Sequence, residues 1–539
     1  MNPSFHIIDF VIVGIYAILL VGVGLWVSRT KKGHTKTAED YFLASKALPW
    51  WAIGSSLIAA NISAEQFIGM SGSGFAGGLA IASYEFMAAL TLIIVGKFFL
   101  PIFIKQGIYT IPEFVEKRFS TNLKTILAVF WIALFVFVNL TSVLFLGGKA
   151  IDTIVGVGDG SMIVPAIIAL AIFAAAYSLY GGLSAVAWTD VIQVALLVIG
   201  GIITTLIALH YVTPDGGISH IADAASDKFD MVLSRDNKEF NNLPGIYVLI
   251  GGLWVANLYY WGFNQYIIQR TLAAKSLTEA QRGIAFAAFL KMLIPFIVVI
   301  PGIVAWVMYS EDLYGARSAF EIAGSTALNN DNAYPWLIST FIPVGVKGLV
   351  LAALAAAIVS SLASMLNSTS TIFTMDIYKP YINREASQTK LVNVGRLTAG
   401  IALIIAVCLA PLLGGIDQMF QYIQEYTGLV SPGILAVFLM GLFWKKATNK
   451  GAIWGVLCSI PIALIFKLLP LEMPFMDQMF YATLLTIVVI FMVSLSSNPA
   501  DDDPKAIKLT ADMFKTDKVF NICAYIICIL LVVIYTAFF

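Results

Sequence analysis

Ile58-Ala59-Ala60-Asn61-Ile62-Ser63-Ala64-Glu65-Gln66 is the stretch whose reading decides the fold. It sits inside an apolar run, 50–74, that is long enough to cross a bilayer, since about 20 apolar residues span the hydrocarbon layer. Polar and ionisable side chains at that depth are costly unless a cavity or a partner receives them. The density of small and polar residues around Ile62 to Gln66 also suits a helix interrupted mid-membrane. Transporters place such breaks at their binding sites, where backbone carbonyls become free.

The rest of the chain agrees that lipid is its solvent. Of 539 residues 59% are hydrophobic and 12% charged, about half the charge of a soluble globular protein. Fourteen candidate spans can be marked: 5–28, 50–74, 78–104, 122–149, 161–180, 188–212, 244–269, 283–309, 334–376, 393–413, 418–444, 451–469, 474–496 and 519–538. The 334–376 segment is too long for one span and is expected to include a lead-in. With the N-terminus outside, most of the 32 basic residues fall in inner loops or span ends, among them Arg29, Lys31, Lys32, Lys117, Arg270 and Lys445. Lys149, Lys228, Arg235, Lys238, Arg317 and Lys347 fall outside, and Lys97, Lys291 and Lys467 within spans. That asymmetry follows the positive-inside rule and supports fourteen helices with both termini outside. The N-terminus has no signal-peptide pattern, so its first apolar run is expected to remain as a span. Asp501-Asp502-Asp503 reads as part of a solvated inner loop.

Several chemistries are disfavoured. The four cysteines lie in apolar stretches with no CxxC pair, against a disulfide framework or zinc site. Gly72-Ser73-Gly74-Phe75-Ala76-Gly77 fits GxGxxG but lacks the strand–helix context of a dinucleotide site. No GxSxG or HExxH occurs, and no enzyme activity, cofactor chemistry or nucleic-acid binding is expected.

Polar residues recur in other spans: Tyr84-Glu85, Asn139, Asn257, Asn264, Lys291 and Gln424-Glu425. One isolated Asn is as well explained by helix–helix hydrogen bonding; six polar spans with acids and a lysine point to a common cavity. Asn257, Tyr260, Trp261 and Asn264 share one helical face, and amides beside aromatic rings suit a sugar. Lys291 needs a partner, for which Glu65 and Glu85 are the candidates; a balanced pair favours a neutral polyhydroxylated substrate. In Ala357-Ile358-Val359-Ser360-Ser361 the neutral hydroxyls suit a sodium ion, while close helix packing through small residues stays open as a second reading.

These residues resemble those of the solute:sodium symporter family over nearly the whole chain. The resemblance is carried by Ala59-Ala60-Asn61-Ile62-Ser63-Ala64-Glu65-Gln66-Phe67-Ile68-Gly69-Met70, by Tyr177-Ser178-Leu179-Tyr180-Gly181-Gly182 with Trp188-Thr189-Asp190, by Trp261-Gly262-Phe263-Asn264-Gln265-Tyr266, and by Gln421-Tyr422-Ile423-Gln424-Glu425-Tyr426-Thr427-Gly428. It implies an all-α polytopic membrane protein with two inverted five-helix repeats (LeuT-like) plus flanking helices. The divisions would be 1–49, an extra helix and inner loop; 50–212 and 244–444, the repeats; 213–243, an outer loop; and 445–539, further helices. It implies sodium-driven uptake of a sugar, galactose or glucose, by alternating access in the bacterial inner membrane, with sodium as the co-transported ion. Sugar contacts would come from Gln66, Glu85, Asn257, Lys291 and Gln424, with Asn61 nearby. Tyr260 would stack on the sugar as an inner gate, and Met70, Tyr84 and Phe420 would form an outer gate. Sodium would be held by the carbonyls of Ala59, Ile62 and Ala357 and the hydroxyls of Ser360 and Ser361, with Asp190 near its exit. Ala88 stands where the family's galactose carrier has a sugar-contacting serine. The rivals are a symporter of sialic acid, inositol or proline, and a membrane sensor, for which the chain's end at Phe539 leaves no kinase domain.

Overall fold

The computed structural model describes residues 5–29, 36–156, 158–212, 217–322, 326–416, 418–469, 473–497 and 503–539. Lys31, Lys32, Asp501 and Asp502 lie outside the described residues, as does part of the 213–243 loop. Among the described residues the fold is helical throughout, with no strand and two isolated bridges, Leu48–Ala274 and Glu321–Leu328.

Twelve described helices are long and apolar enough to cross a membrane. The difference from fourteen arises at the two runs 50–74 and 244–269, neither of which is one continuous helix. The first is helical over Trp50–Asn61, breaks at Ile62 (φ −77°, ψ 106°), and resumes at Glu65 to end at Gly77. Gly78, at φ +76°, then turns the chain into the next helix. A side chain there would strike the backbone of Lys228, so both the conformation and the close approach require glycine. The second run is helical over Ile246–Ile250, then over Gly252–Leu258 and on to Phe263; it breaks at Asn264 (φ −80°, ψ 122°) and resumes over Gln265–Leu272. A wide π turn flanks each break, Glu65–Met70 after the first and Tyr259–Phe263 before the second. The long 334–376 run divides as expected, into Ala333–Phe341 and Val346–Ile372 with its π-helical extension to Ile382.

A break in lipid is tolerated only where other groups take up the freed backbone polar atoms. At the first break the side chains do so locally: Ser63 N–H donates to Gln66 Oε1 at 2.9 Å, and Glu65 N–H to Ser63 Oγ at 3.0 Å. Ser361, from the facing helix, donates its hydroxyl to the carbonyl of Ala60 at 2.9 Å and approaches that of Ala59 at 3.5 Å. After the second break, Gln265 Oε1 accepts from the Ile111 N–H at 2.8 Å.

Two helices hold these broken segments in the centre. Val346–Ile372 is buried along nearly its whole length. Its N-terminal turn is pinned by the buried Asp9, whose carboxylate accepts from the N–H groups of Gly345 (2.7 Å) and Gly348 (2.8 Å), a favourable place for a negative charge. Leu277–Ser310, carrying Pro295 and Pro301, crosses the first broken segment backbone to backbone. A Cβ built on Gly302 would lie 2.1 Å from the Ser71 carbonyl oxygen. Gly302→Ala is therefore expected to destabilise the protein by about 1–3 kcal/mol, read as a lowered melting temperature in detergent. Gly400→Ala, with nothing within 4 Å of its new methyl, should leave that temperature unchanged.

The outermost helices, Ile7–Val27 and Lys518–Ala537, bury few residues and present Ile18, Ile7 and Val532 outward. Apolar side chains of that kind facing out on all sides are what lipid requires.

Candidate functional site

The broken segments meet the helices Ser83–Ile94, Leu277–Ser310 and Met419–Phe443 around a cavity of about 60 Å³. Asn61, Gln66, Glu85, Asn257, Lys291 and Gln424 all stand on its wall, and so does Tyr260. Every residue expected to contact the sugar is thus brought to one hollow.

Within it, Lys291 pairs directly with Glu85, both side chains being almost wholly buried. The ammonium also lies 5.1 Å from the centre of the Trp261 ring, a cation–π distance. Of the two carboxyl candidates, Glu85 is the partner and Glu65 is not, although Glu65 stands on the same wall. Glu85 rises from a continuous helix facing Lys291, whereas Glu65 is fixed where its own helix restarts.

Tyr260 is held from two sides. Its hydroxyl accepts from Asn61 Nδ2 at 2.9 Å and from the Tyr266 hydroxyl at 2.5 Å, tying one broken segment to the other. Asn257 Nδ2 donates to the Leu253 carbonyl at 3.2 Å, one turn back in its own helix. Tyr84 and Phe420 meet edge to face on the wall, their ring centres 5.1 Å apart. Met70 is fully buried and is not among the residues that line the cavity. Ala88 is on the wall as well.

Ala59, Ile62, Ala357, Ser360 and Ser361 are all fully buried. Ile62 lies at the break, and Ser361 reaches across to the last carbonyls before it. These groups are neutral oxygens, the donor type that a hard monovalent cation takes. Ser360 instead directs its hydroxyl to Asp190 Oδ1 at 2.5 Å; Ser56 donates to the other oxygen at the same distance. Asp190 is also 3.8 Å from Arg270.

Arg270, counted with the inner-face cations, is entirely buried. Its guanidinium donates to the backbone and hydroxyl of Ser56, to the Tyr266 carbonyl and to Ser364. Its position near the end of an apolar run made it look like an interfacial charge. Arg270 lies in the helix that resumes after the break at Asn264, every residue of which is buried. Met479, Thr427 and Ser431 are wall residues that were not foreseen; no feature of a single sequence marks them, because ordinary helix positions carry them.

A model of the sodium:solute symporter family matches residues 41–459. The chain belongs to that family, whose members carry solutes across membranes and are not enzymes. It is 66% identical over 538 residues to the sodium/glucose cotransporter of Vibrio parahaemolyticus, covering 98% of each chain. The sodium/myo-inositol cotransporter of Canis lupus familiaris is 33% identical over 501 residues, covering 86% of this chain and 68% of that one. Among solved structures, a sodium-coupled sialic acid symporter in its substrate-bound, outward-open state superposes with a TM-score of 0.79 at 26% identity. It covers 92% of this chain and 100% of that chain.

Proposed function

We propose that this protein couples the downhill entry of sodium to the uptake of a neutral sugar, with galactose or glucose as the substrate. The observation that carries the reading is the Glu85–Lys291 pair on the wall of a polar cavity. A carboxylate substrate would call for an unpaired cation; a paired acid and base leave the cavity suited to hydroxyl groups. The flat ring of Tyr260, held by Asn61 and Tyr266, offers a stacking face. The similarity to the Vibrio sodium/glucose cotransporter supports the same substrate class.

In this reading Gln66, Glu85, Asn257, Lys291 and Gln424 bind the sugar, with Asn61 supporting them. Tyr260 closes the inner side, and Met70, Tyr84 and Phe420 the outer. Sodium sits at the carbonyls of Ala59, Ile62 and Ala357 and the hydroxyls of Ser360 and Ser361, and leaves past Asp190. Ser361 is already directed at the carbonyls before the break, so Ser361→Ala is expected to raise the sodium concentration needed for half-maximal uptake. A sodium titration of uptake in vesicles checks this, and a wild-type curve would remove Ser361 from the ion site.

The architecture proposed is fourteen spans with both termini outside, in the bacterial inner membrane, containing inverted repeats over 50–212 and 244–444. It is supported by the position of the two breaks, each in the first segment of its repeat, at Ile62 and Asn264. Residues 1–49, 213–243 and 445–539 are then the flanking helix with its inner loop, an outer connector and the C-terminal helices.

Alternating access on this scaffold has ample drive. One charge crossing 100 mV gives about 2.3 kcal/mol, and a tenfold sodium gradient adds roughly 1.4 kcal/mol. Together they sustain about 500-fold accumulation at one sodium per sugar. The test of substrate class is competition: unlabelled galactose, glucose, inositol, sialic acid and proline against sodium-driven uptake of labelled galactose. Galactose or glucose should compete best. Stronger competition by sialic acid or proline would replace the sugar reading.

A further inference from the structure

The cavity contains a carboxyl group that none of the roles above employs. Glu65 stands on the wall, yet its Oε1 is shut away from solvent without a hydrogen-bond partner. The cation of the cavity, Lys291, is engaged by Glu85. The backbone of Glu65 is fixed, its N–H donating to Ser63 Oγ at the break. Beside it, Gln66 Oε1 accepts from the Ser63 N–H. Asn61 repeats the pattern: its Nδ2 is given to Tyr260, while its Oδ1 is buried and unpartnered. The edge of the break therefore holds two buried acceptors without a donor, Glu65 Oε1 and Asn61 Oδ1. A buried acceptor left unmatched is costly, and a ligand that brings a donor removes the cost.

We propose that Glu65 is a further substrate-contacting residue, whose carboxyl accepts a hydrogen bond from one sugar hydroxyl and so demands a donor at that ring position. The inference rests on the sugar-symport reading and deepens it. Fluorine has nearly the size of a hydroxyl and cannot donate, and hydrogen can do neither, so the two replacements isolate the donor requirement. An amide in place of the carboxyl would supply a donor of its own and lift that requirement.

The experiment measures how a series of monodeoxy- and monofluoro-galactoses inhibits sodium-driven galactose uptake by the wild type and by Glu65→Gln in proteoliposomes. At one ring position the wild type should reject both analogues by about tenfold or more relative to galactose. In Glu65→Gln the galactose KM should rise by a similar factor. The fluoro analogue at that one position should then be accepted as well as galactose, with discrimination at the other positions retained. The same discrimination pattern in both proteins would overturn the proposal. If the variant does not transport, sugar titrations read through the fluorescence of Trp261 and its fellow tryptophans, on Glu65→Gln and Glu65→Asp, make the same comparison. Failure of the wild type to accumulate galactose at all would instead defeat the sugar reading.

Discussion

Replacing Lys291 by methionine is expected to abolish sugar uptake and to lower the melting temperature of the protein. The ammonium is buried against Glu85 and Trp261, so its removal strands a carboxylate in a cavity from which most solvent is excluded. Breaking one side of a buried pair costs about 3–5 kcal/mol, whereas replacing both partners by neutral groups of similar volume is often tolerated. The double variant Lys291→Met/Glu85→Gln should therefore recover most of the lost thermal stability. It should not recover uptake, because both residues are proposed to touch the sugar. Equal melting temperatures for the single and double variants would show that the pair has no energetic coupling. Recovered uptake in the double variant would remove both from the sugar site.

Gln66→Ala should reduce uptake to background, a loss of at least about 100-fold in kcat/KM. Two contributions act together. The side chain lines the cavity, and its Oε1 is the partner of the Ser63 N–H freed by the break. Alanine removes the proposed sugar contact and leaves that buried donor unsatisfied, at a cost of about 1–3 kcal/mol. Initial rates with labelled galactose, normalised to folded protein in the vesicles, separate the two: a rate loss without a matching loss of folded protein identifies the binding role. Undiminished uptake would remove Gln66 from the sugar site.

Much of this was legible from residue types because the bilayer penalises polar side chains so heavily. Asn61, Gln66, Glu85, Asn257, Lys291 and Gln424 stood out against apolar surroundings, and they share one cavity. The break near Ile62 was legible for the same reason, since small and polar residues cluster there. The break at Asn264 was harder to see: Asn264 read as one more polar position on a continuous face with Asn257. The burial of Arg270, in the helix that follows that break, was not legible either. Partner choice was also beyond the sequence, as Glu65 and Glu85 are both acids near the right depth. What separates them is that one projects from an intact helix and the other from a restart. Neither the share of the wall held by Met479 nor the position of Met70 off it has any signature in composition or spacing.

Purified protein in sealed proteoliposomes, given labelled galactose and an inward sodium gradient with the interior negative, tests the central claim most directly. Sodium-coupled sugar symport predicts that internal galactose rises transiently well above the external concentration and falls back when the gradient is collapsed with an ionophore. Galactose that only equilibrates, at the same rate with potassium in place of sodium, would contradict it.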